Sequence, residues 1–145
     1  MYTHDQMLEL ISAAKAAKLS FPDEFAAAPL DELCEVCNGV GSASITEKLR
    51  KALTKAYACA QATAAIHDWR YEHSDGLPDS QRKADAEFLK NGMEEVKYRH
   101  ANGGLLSFLH RLWDERKIVV AYRFLEADGE AAWCISFRNN ILKSK

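Results

Sequence analysis

The sequence predicts a single, mainly α-helical domain, and three observations lead to this fold class. Apolar and small residues recur at helical spacing in long segments, roughly 5–18, 47–73 and 81–100. No domain-sized linker, internal repeat or low-complexity tract divides the 145 residues. Hydrophobic residues make up 48% and charged residues 28% of the chain, which is typical of a globular domain. We therefore interpret residues 1–145 as one domain.

The first half of the chain alternates between helices and loops. An amphipathic helix is predicted over 5–18, and the two prolines that follow predict a loop with at most one short helix, DEFAAA. The segment CNGVGSAS is too rich in glycine for a helix or a strand, and it predicts a tight loop. Ser44, with Glu47 three residues later, fits a capping box for a helix that reaches residue 73, continuous or with one break.

The second half begins with a turn at SDGLPDS. Asp79 or Ser80 then caps a predicted helix over 81–100, and a further helix starts near Gly104. The tail, 116–137, leaves two alternatives open. It forms either a β-hairpin around an Asp-Gly turn or a helix that stops at Gly129 and is followed by a short one.

Charge and hydropathy exclude several classes of partner. The net charge is −2, so the chain has no basic footprint for nucleic acid and no polybasic patch for anionic lipid. No apolar run is long enough for a membrane span, and the N-terminus does not resemble a secretory signal. These features predict a soluble protein that binds no nucleic acid and contacts a membrane only peripherally.

Four cysteines allow more than one interpretation. Cys34 and Cys37 have the spacing of a redox pair or of half a zinc site, but no second pair at similar spacing completes such a site. Cys59 and Cys134 stand alone in the sequence. Reduced and partly buried thiols are therefore the favoured prediction.

Three titratable residues are predicted to meet between two antiparallel helices. His67 and Tyr71 share a face with small alanines on the helix before the SDGLPDS turn. Asp85 heads the apolar stripe of the helix after it, where a leucine would be expected. A buried carboxylate is costly unless it is paired, so His67 and Tyr71 are its natural partners. A carboxylate on one imidazole nitrogen makes the other a general base near neutral pH, although a purely structural cluster is an alternative interpretation.

Asp68 adds a second element of chemistry. It follows His67 by one residue and therefore points about 100° away around the helix. A carboxylate in this position suits a hard cation such as calcium, and a glycine-rich loop such as CNGVGS can supply backbone carbonyls as further ligands. One residue would then activate water while its neighbour holds the ion that stabilises an oxyanion.

These residues resemble a known family. HDWRY resembles the His-Asp-x-x-Tyr signature of calcium-dependent phospholipase A2 enzymes, and KADAEFL resembles the Ala-Asp-x-x-Phe segment of their short phage, bacterial and parvovirus-capsid members. VCNGVGS is similar to their calcium loop. The tail is similar to the helix–glycine–aromatic ending of the bacterial group, so we favour the helical alternative there. The paired cysteines that brace the active-site helix of secreted members are absent, and Thr63 and Ala64 stand in their places.

The resemblance implies a role for each matching residue. His67 would be the general base for attack on the sn-2 ester of a phospholipid, Asp85 would orient it, and Tyr71 would bond to Asp85. The side chain of Asp68 would bind Ca²⁺, and the backbone carbonyls of three loop residues would complete the site: Cys37, Gly39 and Gly41. Because the sequence shows neither a secretory signal nor a membrane span, we expect a protein that is cytoplasmic or associated with a phage particle.

Two alternative functions remain at the level of sequence. One is a non-catalytic phospholipase A2-like structural or binding protein of phage or prophage origin. The other is a thiol or zinc protein built on the Cys34–Cys37 pair.

Overall fold

The computed structural model describes residues 2–37 and 47–143, and the regular structure within these ranges is helical. In chain order the helices are α1 (His4–Ala16), α2 (Asp23–Ala27), α3 (Leu30–Val36), α4 (Glu47–Ala56), α5 (Gln61–Glu72), α6 (Pro78–Arg99) and α7 (Leu105–Lys143), with a 3₁₀ turn at Ala58–Ala60. The predicted mainly α class is confirmed. The hairpin alternative for 116–137 is wrong, because α7 runs through these residues.

The N-terminal half contains one helix more than the prediction allows. Helix α3 follows directly on Pro29, which lies just outside the helix, where its missing N–H removes no helical hydrogen bond. The proline therefore starts a helix here instead of extending the loop. The predicted break after α4 is confirmed at Tyr57 and the 3₁₀ turn. The glycine-rich loop and the Ser44 cap lie outside the described residues.

Helices α5 and α6 form the antiparallel pair that the SDGLPDS turn predicts. Gly76 lies in this turn with a φ of +74°, a conformation that other residues adopt only under strain. The predicted cap of α6 is wrong, because the helix starts at Pro78, ahead of Asp79 and Ser80. Proline is favoured at the first helical position since its φ is already helical, so the start moves upstream.

Two clusters of buried side chains make up the core. The larger one joins α1, α2, α3 and α5 through fully buried residues that include Met7, Phe25, Leu33 and Ile66. The smaller one joins the 3₁₀ turn, α6 and α7: Cys59, Ala60, Phe88, Val96 and Ile118. Two of the three tryptophans, Trp69 and Trp133, are buried, whereas Trp113 is 62% exposed.

Helix α7 contradicts the prediction that Gly129 stops it. The helix is 39 residues long in total, from Leu105 to Lys143, and Gly129 is buried within it. Glycine costs a helix about 1 kcal/mol relative to alanine, and the packing that its missing side chain permits here outweighs this cost. None of the helices in the described ranges combines the length and the apolar run that crossing a bilayer requires.

Candidate active site

The site is built on the face of α5 that carries small residues. Ala60 and Ala64 are almost fully buried, and their short side chains let α6 approach closely. At this distance His67 and Tyr71, one and two turns further along α5, reach across to α6. The face predicted from the sequence is therefore the face that α5 presents to its partner helix.

His67 forms a buried hydrogen bond with Asp85. The imidazole Nε2 lies 2.9 Å from Asp85 Oδ1, and the two side chains are 9% and 4% exposed. Among the described residues, none makes a hydrogen bond to the other ring nitrogen, Nδ1. With the carboxylate accepting from Nε2–H, Nδ1 carries the lone pair, so this tautomer accepts a proton at Nδ1.

The Asp85 carboxylate accepts two further hydrogen bonds. The Tyr71 hydroxyl donates to Oδ1 at 2.8 Å, as predicted, and the Gln81 amide donates to Oδ2 at 2.9 Å. Gln81 is a site residue that the sequence interpretation missed. Its position four residues before Asp85 on α6 is the signal that could have identified it, since a glutamine and an aspartate at this spacing share a helix face.

Aromatic rings fix the orientation of the imidazole. The Tyr71 ring centroid lies 4.4 Å from that of His67, and Phe88 meets His67 edge-on at 5.2 Å. Burial and the neighbouring Asp85 charge raise the pKa of Tyr71 well above its ordinary value, so its hydroxyl remains a donor at every physiological pH. The imidazole is therefore held by packing on its faces and by a carboxylate at one edge.

Helix α7 covers this cluster. A Cβ atom at Gly129 would lie 2.5 Å from Tyr71 Oη and 2.9 Å from Gln81 Nε2. Both distances are shorter than a real Cβ atom allows. Because Gly129 has no side chain, α7 can lie directly on Tyr71 and Gln81, the two residues that donate to Asp85 with Tyr71 Oη and Gln81 Nε2. Trp133, one turn further on, packs edge-to-face on Tyr71 at 5.0 Å.

A second carboxylate fixes the start of α5. Glu95 on α6 is 1% exposed and accepts hydrogen bonds from the backbone N–H of Ala62 and Thr63 and from the Thr63 hydroxyl. Arg99 pairs with the same carboxylate at 3.0 Å. No side chain of α5 itself caps this end, and Glu95 satisfies the free N–H groups instead. Thr63 thus anchors the start of α5 to α6.

The proposed calcium ligands are only partly within the described residues. Gly39 and Gly41 lie outside them, whereas Cys37 and Asp68 lie within. Burial raises the pKa of the Cys37 thiol well above its ordinary value, and the Asp68 charge raises it further. Asp68 lies about one turn beyond Ala65 on α5. The Cys37 thiol also donates to the Ala65 carbonyl at 3.2 Å. A hard carboxylate oxygen beside the origin of a glycine-rich loop fits a calcium donor set.

Within 2–37 and 47–143, no three His, Cys, Asp or Glu side chains converge as a metal site. The donor set that the resemblance implies has a single side chain, Asp68, and would not form such a cluster. The four cysteines are free thiols, buried at Cys34, Cys37 and Cys59 and exposed at Cys134, in agreement with the prediction of reduced and partly buried thiols.

A cleft of about 760 Å³ lies away from these residues. It is lined by Trp69 and Arg70 on α5 and by Lys83 and Glu87 on α6. Lys83 and Glu87 are two positions from Asp85 in either direction, so they face the opposite side of α6. His67 and Asp85 do not line this cleft, and it is not part of the candidate active site.

Three of the predicted site residues, His67, Asp85 and Tyr71, are thus in mutual contact, and Asp68 lies on the adjacent face of α5 beside Cys37. Comparison with known proteins adds no assignment: no protein-family model, no curated protein and no solved structure matches this chain.

Proposed function

We propose that this protein hydrolyses the sn-2 acyl ester of phospholipids in a calcium-dependent reaction, with His67 as the general base and Asp85 as the residue that orients it. The observation that supports this proposal best is the buried 2.9 Å contact between His67 Nε2 and Asp85 Oδ1. With Nε2 bound to the carboxylate, Nδ1 is the ring nitrogen that would act as the base.

The proposed reaction transfers one proton in each direction. Nδ1 of His67 accepts a proton from water while the water oxygen bonds to the ester carbonyl carbon. The resulting imidazolium is stabilised by the Asp85 carboxylate. When the C–O bond breaks, the imidazolium returns the proton to the departing alkoxide, and the products are a fatty acid and a lysophospholipid.

Calcium, when bound, would supply positive charge to the oxyanion and to the phosphate of the lipid. Asp68 would hold it by its side chain, with the backbone carbonyls of Cys37, Gly39 and Gly41. The substrate lies in a membrane surface or a micelle, so the protein would contact lipid peripherally.

Hydrolysis of a phospholipid labelled in its sn-2 chain, in mixed micelles with calcium, tests the catalytic proposal. We expect His67→Ala to reduce the initial rate by at least about 100-fold, because a positioned base typically contributes 10²–10⁴-fold. His110→Ala is the matched control, since this histidine is exposed on α7. Equal rates for the wild type and folded His67→Ala would exclude His67 as the base.

A non-catalytic module with the same helices is the second candidate. The observation that favours it is the low exposure of the His67 side chain, 9%. Calcium binding separates the two functions. If the proposed enzyme is correct, saturating calcium raises the melting temperature of the wild type by several degrees and leaves Asp68→Asn unchanged, as expected for a ligand at about 100 times its Kd. A non-catalytic module without a calcium site would show no shift in either protein.

The thiol or zinc protein is disfavoured by the state of Cys37. Burial raises the pKa of its thiol well above its ordinary value, and redox nucleophiles are thiolates. For zinc, the described residues contain no group of three His, Cys, Asp or Glu side chains that converge. Stoichiometric zinc in the purified protein would reverse this preference.

A further inference from the structure

Helix α7 carries an exposed apolar stripe on the side opposite its buried face, and two of its members, Trp113 and Val120, also line a small cleft beside Tyr57. The stripe consists of large side chains that are 42–73% exposed: Leu106, Leu109, Trp113, Val120 and Phe124, continued by Ile135 and Leu142. At 100° per residue all seven fall within a sector of about 80°. The inward face of the same helix is occupied by Ile118, Gly129 and Trp133, which are buried.

The spacing of this stripe is that of a seam between helices. Its members follow one another at steps of three, four, seven or eleven residues, which keeps them in one line along the helix. A single exposed leucine is common on protein surfaces, whereas seven large apolar side chains aligned on one helix indicate an interaction surface. The stripe also extends along nearly the full length of α7, which at 1.5 Å per residue is about 58 Å long.

The apolar area is sufficient for a dimer of this chain. The first five members together expose on the order of 500 Å². Two copies that cover each other's stripe would bury about 1,000 Å² from these residues alone, and the helix edges would add to it. This reaches the lower limit of a specific protein interface.

The charges along α7 suit a second copy in antiparallel orientation. Residues 105–124 contain four basic and two acidic residues, a net charge of +2, whereas 125–142 contain three acidic residues and one basic residue, a net charge of −2. In an antiparallel dimer, the basic segment of one copy lies beside the acidic segment of the other. In a parallel dimer, segments of the same charge lie beside each other. An anionic lipid surface would favour an excess of basic residues along the whole stripe.

We propose that α7 is the interface of an antiparallel homodimer, formed by the stripe from Leu106 to Leu142. The partner of each copy is a second copy of this chain, related by a two-fold axis near the middle of the helix. This interface faces away from His67 and Asp85, so it is independent of the proposed hydrolysis.

Sedimentation of the full chain tests the interface. We expect the wild type to have twice the chain mass of 16.3 kDa at micromolar concentration. Trp113→Glu should weaken dimerisation by at least about 100-fold, because it places a charge in the middle of an apolar contact. Leu8→Glu is the matched control, since Leu8 is 52% exposed on α1, and it should remain dimeric. A wild type that is monomeric, whether or not it binds vesicles, or a Trp113→Glu variant that remains dimeric, would overturn the proposal.

Cross-linking tests the orientation. In a Cys134→Ser background, a cysteine introduced by Phe124→Cys lies near the two-fold axis and should form a disulfide between copies. A cysteine introduced by Leu106→Cys should not, because the two N-terminal ends of α7 lie far apart. Disulfide formation through position 106 would mean a parallel dimer and would contradict the proposed orientation.

Discussion

At the scale of single residues, the account depends on one carboxylate with three donors. Asp85 is 3% exposed, and its hydrogen bonds with His67, Tyr71 and Gln81 offset the cost of burying its charge. The three hydrogen bonds have different roles. Only the bond to His67 determines the imidazole tautomer, whereas Tyr71 and Gln81 hold the carboxylate in place.

Substitutions of Asp85 and Tyr71 should therefore have unequal effects on the proposed reaction. In Asp85→Asn the amide can donate to Nε2 and favour the tautomer in which Nδ1 carries the proton, so we expect a rate loss of about 10³–10⁴-fold. Tyr71→Phe leaves the hydrogen bond between Asp85 and His67 intact. We expect it to lower the rate by about 10-fold or less and the free energy of unfolding by about 1 kcal/mol. Initial rates on micellar phospholipid and urea unfolding measure the two effects. Similar rate losses in both variants would contradict this division of roles.

Gly129 provides a test of the packing above the site. Gly129→Ala brings a Cβ to 2.5 Å from Tyr71 Oη, so we expect a loss of about 1–3 kcal/mol in the free energy of unfolding. In a Tyr71→Phe background the closest atom is gone and the approach to Gln81 Nε2 remains, so the same substitution should cost less but still destabilise the protein. Urea unfolding of the four proteins measures this coupling. Additive effects would mean that Gly129 does not lie against the tyrosine hydroxyl.

Part of the site was predictable at this scale and part was not. His67, Tyr71 and Asp85 follow from helical spacing and a short turn, because two neighbouring helices must bring their facing residues together. Gln81 required the true start of α6, which the sequence interpretation placed three residues too late. Gly129 was interpreted as a helix stop because local preference favours that role, and only the contact with α5 and α6 reverses it.

At the scale of elements, α5 depends on a neighbouring helix for its N-terminal cap. The charge of Glu95 faces the N–H groups of Ala62 and Thr63, where the helix dipole favours a negative group. Sequence reasoning missed this contact, because the cap lies 32 residues away from Thr63 along the chain. The missing local cap at Ala60 was the only available signal.

Loss of the Glu95 carboxylate should destabilise the protein strongly. We expect Glu95→Ala to lower the free energy of unfolding by about 3 kcal/mol, because it leaves buried donors without an acceptor. Glu94→Ala is the matched control. Glu94 is 45% exposed and pairs only with Lys97 in the described structure, so its loss should cost less than about 0.5 kcal/mol. Equal stability of the two variants in urea would show that Glu95 does not cap α5.

At the scale of the whole molecule, buried thiols should link folding to alkaline pH. Burial raises the pKa of Cys59 from 9.0 to about 11. Between these two values the unfolded chain loses the thiol proton while the folded protein keeps it. Stability therefore falls as the pH rises from 9 to 11 and is unaffected by this group below that window.

Unfolding experiments between pH 8 and 11 can isolate this contribution. We expect the slope of unfolding free energy against pH to be shallower in Cys59→Ala than in the wild type. Cys134→Ala, which removes an exposed thiol, should retain the wild-type slope. An unchanged slope in Cys59→Ala would mean that this thiol ionises equally in both states.

The class of the fold was predictable from the sequence, because three long segments of helical periodicity leave little room for strands. The length of α7 was not, since its continuation beyond Gly129 depends on tertiary contacts. The exposure of Trp113 was not predictable either. A large apolar residue at helical spacing normally indicates burial in the domain, and here it indicates a surface that another chain can cover.

The central claim, calcium-dependent ester hydrolysis with His67 as the base, is tested most directly by the initial rate of sn-2 chain release from labelled phospholipid micelles, with saturating calcium and with excess chelator. The account predicts turnover in calcium and a rate at least about 100-fold lower in chelator, because the oxyanion then loses its positive partner. Turnover that persists unchanged in chelator, or its absence in calcium from a folded protein, would contradict the account.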